Sequence, residues 1–265
     1  MSTTSLSASI AGIGFWASGL PSWQHAQAYV ATGELPVDAP GRPSPQLLAP
    51  NERRRAPGTV AVALEVALAA CNAAARDPAT LASVFASTHG DLGITDYMCQ
   101  TLAEDPRGIS PTRFHNSVHN AAAGYWTIGA GAMTAATAIS AYDASFAQGL
   151  LEAMTQLATG TEAVLLVAYD GEAAGPLARV SVSQGLLGGA LLLVRESLPG
   201  VPRLHLQPTP VPISAPWVDG PISLLLAGNA MAPMLPLFEA LARRSPHARI
   251  GAGNGLVMGM EMTHE

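Results

Sequence analysis

The residues with the greatest chemical potential sit together in TAISAYDASFAQGLLEA, residues 137–153. The stretch reads as a short strand of small residues, a tight turn, and the start of a helix. Such a turn suits a nucleophile, because a helix N-terminus stabilises developing negative charge. It offers Tyr142, Asp143 and Ser145, but no cysteine. A serine hydrolase elbow requires glycine two residues before and two after the serine, where backbones approach closely. Around Ser145 those places hold Asp143 and Ala147, which speaks against a serine nucleophile. Asp143 and Asp170 both end strand-like runs and could act as acid or base, although carboxylates there more often serve turns and caps.

The other reactive side chains are more scattered. His115 and His119 lie four apart in FHNSVHN, a spacing that puts two imidazoles on one helical face as metal ligands need. No glutamate sits between them and no third ligand is near in sequence. The simpler reading is a helix entry whose Asn and His satisfy backbone groups, and no metal is expected. Cys99 is flanked by Tyr97, Met98 and Leu102, an apolar setting that predicts a buried, inert thiol. Cys71 and Cys99 make neither a metal spacing nor a disulfide framework, which points to a reducing cytoplasm. GIGFWASG lacks the glycine spacing of a phosphate loop, so no nucleotide cofactor is expected.

These side chains must be held by a chain of 265 residues that is 49% hydrophobic and only 12% charged. Such a balance leans toward burial against a partner, even though Ala and Gly inflate the apolar count. The net charge of −6 argues against nucleic acid, since the one basic run is Arg53-Arg54-Arg55 in a Pro-rich stretch, read as a solvated loop. The N-terminus lacks a basic region followed by a sustained apolar core, so no signal peptide is expected. The longest apolar runs, AVLLVA and ALLLV, are far short of a membrane span.

Periodicity predicts strands over 5–17, 81–88, 135–141, 162–170 and 188–197. It predicts helices over 59–77, 93–105, 119–132 and 144–159, with Thr59 as an N-cap. Residues 31–58, dense in Pro and Gly, read as a long surface excursion. Alternating strands and helices favour an α/β sheet with helices on both faces. Beyond Ser197 the pattern weakens to an irregular Pro-rich stretch, one helix (NAMAPMLPLFEALARR) and a closing strand (GLVMGMEMT).

Read in order, several segments resemble the N-terminal half of the β-ketoacyl synthases, the condensing enzymes of fatty-acid and polyketide synthesis. STHGDLGITDYM resembles the segment whose helix borders the acyl pocket. ISPTRFHNSVHNAAAGYWTIGAGA resembles the dimer-interface segment, with Ser110-Pro111, Asn120 and Ala123-Gly124 in matching places. TAISAYDASFAQGLLEA resembles the strand, nucleophile turn and helix, and GTEAVLLVAYD the strand that follows. The likeness covers roughly residues 5–197, and the ordered run 87–170 is its specific part. It implies a thiolase-like α/β fold, with 1–197 a ketosynthase N-terminal-type domain and 198–265 a reduced C-terminal segment packed on it.

Counting without gaps from Ala123-Gly124 and from Gly160 places the family's cysteine at Asp143; one gap moves it to Tyr142. Neither residue can form an acyl thioester, and His205 and His247 lie in segments unlike the family's histidine motifs. The tail RIGAGNGLVMGMEMT and the segment SFAQGLLEA fit the chain-length-factor-like subunits of type II polyketide and aryl polyene systems. The resemblance therefore implies a noncatalytic subunit that heterodimerises with a full-length β-ketoacyl synthase and, through it, meets an acyl carrier protein.

The strand before the turn would then be a sheet edge paired with the partner: Ala135, Ala136, Thr137, Ala138, Ile139, Ser140 and Ala141, with Asn120 and Gly124 beside it. Gly93, Ile94, Thr95, Tyr97, Met98, Arg113 and Phe114 would border the acyl pocket. Two other readings stand beside this one. In the first, an acyl-processing enzyme (a malonyl decarboxylase or acyl hydrolase) reuses the turn at Tyr142–Ser145. In the second, a purely stabilising partner has no influence on product length.

Overall fold

The computed structural model describes residues 6–206, 211–212 and 220–264. The chain opens with β1 (Leu6–Ala17), α1 (Trp23–Thr32), α2 (Pro50–Arg55) and α3 (Gly58–Ala73). Then follow β2 (Ala82–Ala86), α4 (Leu92–Glu104), α5 (Pro111–Asn116), α6 (Ala121–Ala130), β3 (Ala136–Ile139) and α7 (Ser145–Ala158). β4 (Ala163–Asp170), β5 (Leu187–Val194), β6 (Pro202–Leu206) and β7 (Val211–Pro212) precede α8 (Pro221–Leu225), α9 (Leu235–Ala242), β8 (His247–Gly253) and β9 (Leu256–His264).

One nine-stranded sheet joins them in the order β3-β2-β4-β5-β1-β6-β9-β7, with β8 on the free side of β9. β3, β2 and β4 run parallel, and β5, β1, β6 and β9 continue antiparallel. β4 and β5 are buried along their whole length, as continuous apolar runs covered on both faces must be. One face carries α7 and α9, with Phe146, Leu150, Met154, Leu157, Phe238 and Leu241 in its core. The other carries α3 and α6, with Val62, Val66, Ala70 and Trp126. The segment after residue 197 adds strands to this same sheet.

Most predicted elements form, and the differences have local causes. The excursion at 31–58 contains the short helix α2, entered through Pro50, whose ring presets the first helical φ. Arg53 in it is half-buried and donates to the Leu48 carbonyl at 3.0 Å, so the basic run is not wholly a solvated loop. Thr59 does not cap α3; Pro57 holds that position, and the Thr59 hydroxyl donates across to Asp91 Oδ2 at 2.9 Å. Cys99 is exposed rather than buried, because α4 packs through its other side and turns Cys99 and Gln100 outward. The buried thiol is Cys71, which burial pushes up to about 12. In the C-terminal part, the expected helix at 229–244 shortens to α9, and β6 and β8 are additional strands. Of the Pro-rich stretch 199–221, residues 207–210 and 213–219 lie outside the described residues.

Candidate functional site

The turn of the opening motif lies at the carboxyl ends of the parallel strands. β3 stops at Ile139, and the chain passes through Tyr142 and Asp143 into α7. Tyr142 takes φ +52, a left-handed conformation that a bulky residue adopts only when its surroundings hold it there. They do. The Ser145 hydroxyl donates to the Tyr142 carbonyl at 2.7 Å and accepts the Ala141 N–H at 2.9 Å, and Thr88 Oγ1 donates to the same carbonyl at 3.3 Å. Ser145 is thus buried and spent on the turn, with no lone hydroxyl to attack a substrate. Tyr142 by contrast is 61% exposed, and Asp143 lies open beside a cleft shared with Asn229, Ala230, Pro233 and Gly251.

Beneath the turn, Asp170 is only 1% exposed. It accepts the Ser87 hydroxyl at 2.7 Å, the Thr88 N–H at 2.9 Å and the His89 N–H at 3.3 Å. Thr88 in turn accepts the Ser140 hydroxyl at 3.0 Å, so one carboxylate ties the ends of β2 and β4 to the turn. Burial pushes Asp170 above the ordinary carboxylate value, against the opposing pull of these donors. Asp170→Ala would leave the buried Thr88 N–H and the half-buried His89 N–H unpaired and is expected to cost about 2–4 kcal/mol, read from urea unfolding. A carboxyl raised in the folded state adds stability that is complete below its unfolded pKa and is lost as pH rises through the folded value. The gap between wild type and Asp170→Ala should therefore narrow as pH rises through that value.

The two histidines of FHNSVHN part company. His115 ends α5 and lies edge-on to Tyr125 at 5.9 Å, while His119, beyond the helix, donates from Nε2 to the Ser87 carbonyl at 2.8 Å. No group of three metal-ligating side chains occurs among the described residues. Sequence inspection missed His89, which shares a 2.5 Å hydrogen bond with Ser181 and lies 6.4 Å from the Tyr142 ring. Only folding brings residues 89, 142 and 181 together, so no local pattern marks them.

The residues expected near an acyl pocket lie on α4 and α5. Ile94, Thr95, Tyr97 and Met98 are half-buried on α4, with Gly93 exposed at its start. The Arg113 guanidinium stacks 4.0 Å over the Tyr97 ring, and Tyr97 Oη accepts the Ser110 N–H at 3.3 Å, fastening α5 to α4. Phe114 next to it is mostly exposed.

β3 is the edge of the sheet, and Ala135, Ala136, Ala138 and Ser140 are exposed along it, with Thr137, Ile139 and Ala141 half-buried. Ser83 N–H donates to the Ala135 carbonyl and Ser87 N–H to that of Ile139. In a parallel ladder, residues 135, 137 and 139 therefore turn their backbone groups toward β2, and Ala136 and Ala138 turn theirs outward. Beside this open row, Asn120 precedes α6 without a side-chain capping bond, and a side chain at Gly124 would meet open space. Met133 and Ile128 stand 97% and 81% exposed nearby. The edge is thus open and uncharged, with large apolar side chains at its rim.

Residues 22–194 match the family model described as β-ketoacyl synthase, N-terminal domain. The chain belongs to the β-ketoacyl synthase family. Its fold is the thiolase-like fold of ketosynthases. A solved structure of the ketosynthase ApeO in complex with its chain length factor ApeC, from Xenorhabdus doucetiae, is similar at 25% identity and TM-score 0.75, covering 96% of this synthase-like chain and 99% of that one. The ishigamide ketosynthase/chain length factor shares the fold at 15% identity and TM-score 0.72, covering 97% and 99%. So does the complex AntDE:AntF, a type II polyketide synthase acyl-carrier protein with its ketosynthase bound to the hexaketide, at 12% identity and TM-score 0.72, covering 98% and 99%. No curated protein matches this synthase-like chain. Tyr142 holds the left-handed position of the turn and Asp143 follows it; neither carries a thiol.

Proposed function

We propose that this chain is a noncatalytic, chain-length-factor-like subunit that heterodimerises with a full-length β-ketoacyl synthase. The observation that carries this reading is the combination of an intact nucleophile turn without a thiol and an open, uncharged sheet edge directly before it. The turn keeps its hydrogen bonds and its left-handed residue, yet Tyr142 and Asp143 cannot hold an acyl thioester. Similarity to a ketosynthase–chain length factor complex over nearly the whole length of both chains supports the pairing. In the complex, the synthase would condense carrier-protein-bound chains, and this subunit would shape the far end of the acyl pocket through α4 and α5. The products would be polyketide, aryl polyene or fatty-acid chains, and the setting the cytoplasm. No helix among the described residues is long and apolar enough to cross a membrane.

Co-expression with a full-length β-ketoacyl synthase from the same genome tests the reading. A one-to-one complex is expected, and a stable solitary chain that releases acyl groups from carrier protein would overturn it. Two variants sharpen the roles. Asp143→Ala should leave condensation by the complex within about twofold, whereas the acyl-processing alternative demands a large loss of turnover. Tyr97→Ala removes the ring that Arg113 covers and should shift products toward longer chains, as seen by mass spectrometry. Unchanged product lengths would leave only a stabilising role.

A further inference from the structure

A groove runs between the open edge strand and the helix that follows it. Its floor is Ile139, Ser140 and Ala141, and its wall is Gln148, Leu151, Glu152 and Thr155 of α7. Those wall positions are spaced i, i+3, i+4 and i+7, so they form one stripe of the helix, turned away from the core-facing Gly149, Leu150, Ala153 and Met154. The stripe lines the side of α7 from which any partner strand beside β3 would arrive. Within it Glu152 is half-buried, and its carboxylate accepts one hydrogen bond, from Gln156 Nε2 at 2.9 Å. No cation pairs with it among the described residues, where the one ion pair is Arg76 with Glu162. A carboxylate at the rim of a surface due to be covered would lose water on docking, and that loss needs a positive charge to offset it.

The geometry points to this groove as the seat of an arginine or lysine carried by the partner protein whose strand pairs with β3. The same charge selects against a second copy of this chain. Joining two copies edge to edge about a two-fold axis normal to the sheet keeps corresponding faces on one side. Both α7 helices then flank the junction on one face, and the two Glu152 carboxylates lie on the same side of it. α7 carries neither lysine nor arginine, so nothing in a like partner's own α7 stripe can answer that charge. Repulsion between copies and attraction to a cationic partner together give specificity from one residue.

This inference rests on the heterodimer reading above, and its test separates the two. Glu152→Gln keeps shape and helix and removes only the charge. In the full chain, measured against the full-length synthase that co-purifies with it on co-expression, it should weaken the heterodimer about tenfold, with the loss shrinking as salt rises toward about 0.5 M. In sedimentation of the chain alone, it should strengthen self-association. Opposite movement of the two equilibria is the signature of a charge selecting its partner, since lost packing would weaken both. If synthase affinity is unchanged, or both equilibria move the same way, the groove assignment is wrong while the heterodimer stands. If the wild-type chain does not bind the synthase, the heterodimer reading falls and this inference with it.

Discussion

Proline at residue 138 is the expected way to release the partner without unfolding the chain. The Ala138 N–H points away from β2, so the chain's own sheet loses no hydrogen bond when it is replaced. Edge strands tolerate proline on that side, where only solvent would otherwise be met. A partner strand meets the ring instead of a donor. Loss of one ladder bond plus the steric obstruction amounts to about 2–3 kcal/mol, roughly a 30- to 150-fold loss of affinity. Thr137→Pro is the control: its N–H faces β2, so it should damage the fold itself. Pull-down of the synthase together with thermal melting of the isolated chain reads both. Equal synthase binding by Ala138→Pro and wild type would show that β3 is not the pairing edge.

The second large effect lies far from that edge, where α3 crosses β1. A Cβ on Gly14 would overlap the Val66 carbonyl oxygen, and one on Gly12 that of Ala70. Both obstacles are helix backbone, which cannot step aside as a flexible side chain would. Gly14→Ala must therefore lift α3 from the sheet, disturbing Val62, Val66 and Ala70, all buried in the core of that face. The expected cost is about 3 kcal/mol, at the upper end for overpacking, or a melting midpoint lower by roughly 6–12 °C. Differential scanning calorimetry checks it, and a midpoint within a degree or two of wild type would refute so close an approach. Gly14 sits in a strand-like run whose pattern signals nothing of this, because the neighbour comes from fifty residues away.

How much could be read before folding varies with how local the cause is. All the helices and strands between residues 59 and 197 except α5 follow from apolar periodicity, and their order and spacing carry the family likeness. β6 and β8 were illegible because neither shows a clear pattern of its own: β6 is completed by pairing with β1 and β9, and β8 by its hairpin partner β9. The exposure of Cys99 was misread because flanking apolar residues do not reveal which side of α4 faces inward. The hub at Asp170 looked like an ordinary strand-end carboxylate, since its donors lie some eighty residues earlier.

By itself the sequence determined that the turn carries no thiol, that the strand before it is flat and uncharged, and that the surroundings resemble a condensing enzyme. Those are properties of residue type and order, which hold in any conformation. Only the tertiary structure decided that Tyr142 takes the left-handed position, that β3 is a true edge with Ala136 and Ala138 facing out, and that Glu152 in the groove beside it has no cationic partner among the described residues. Each depends on which backbone groups the rest of the sheet has already used. That is settled by contacts between segments far apart in the chain.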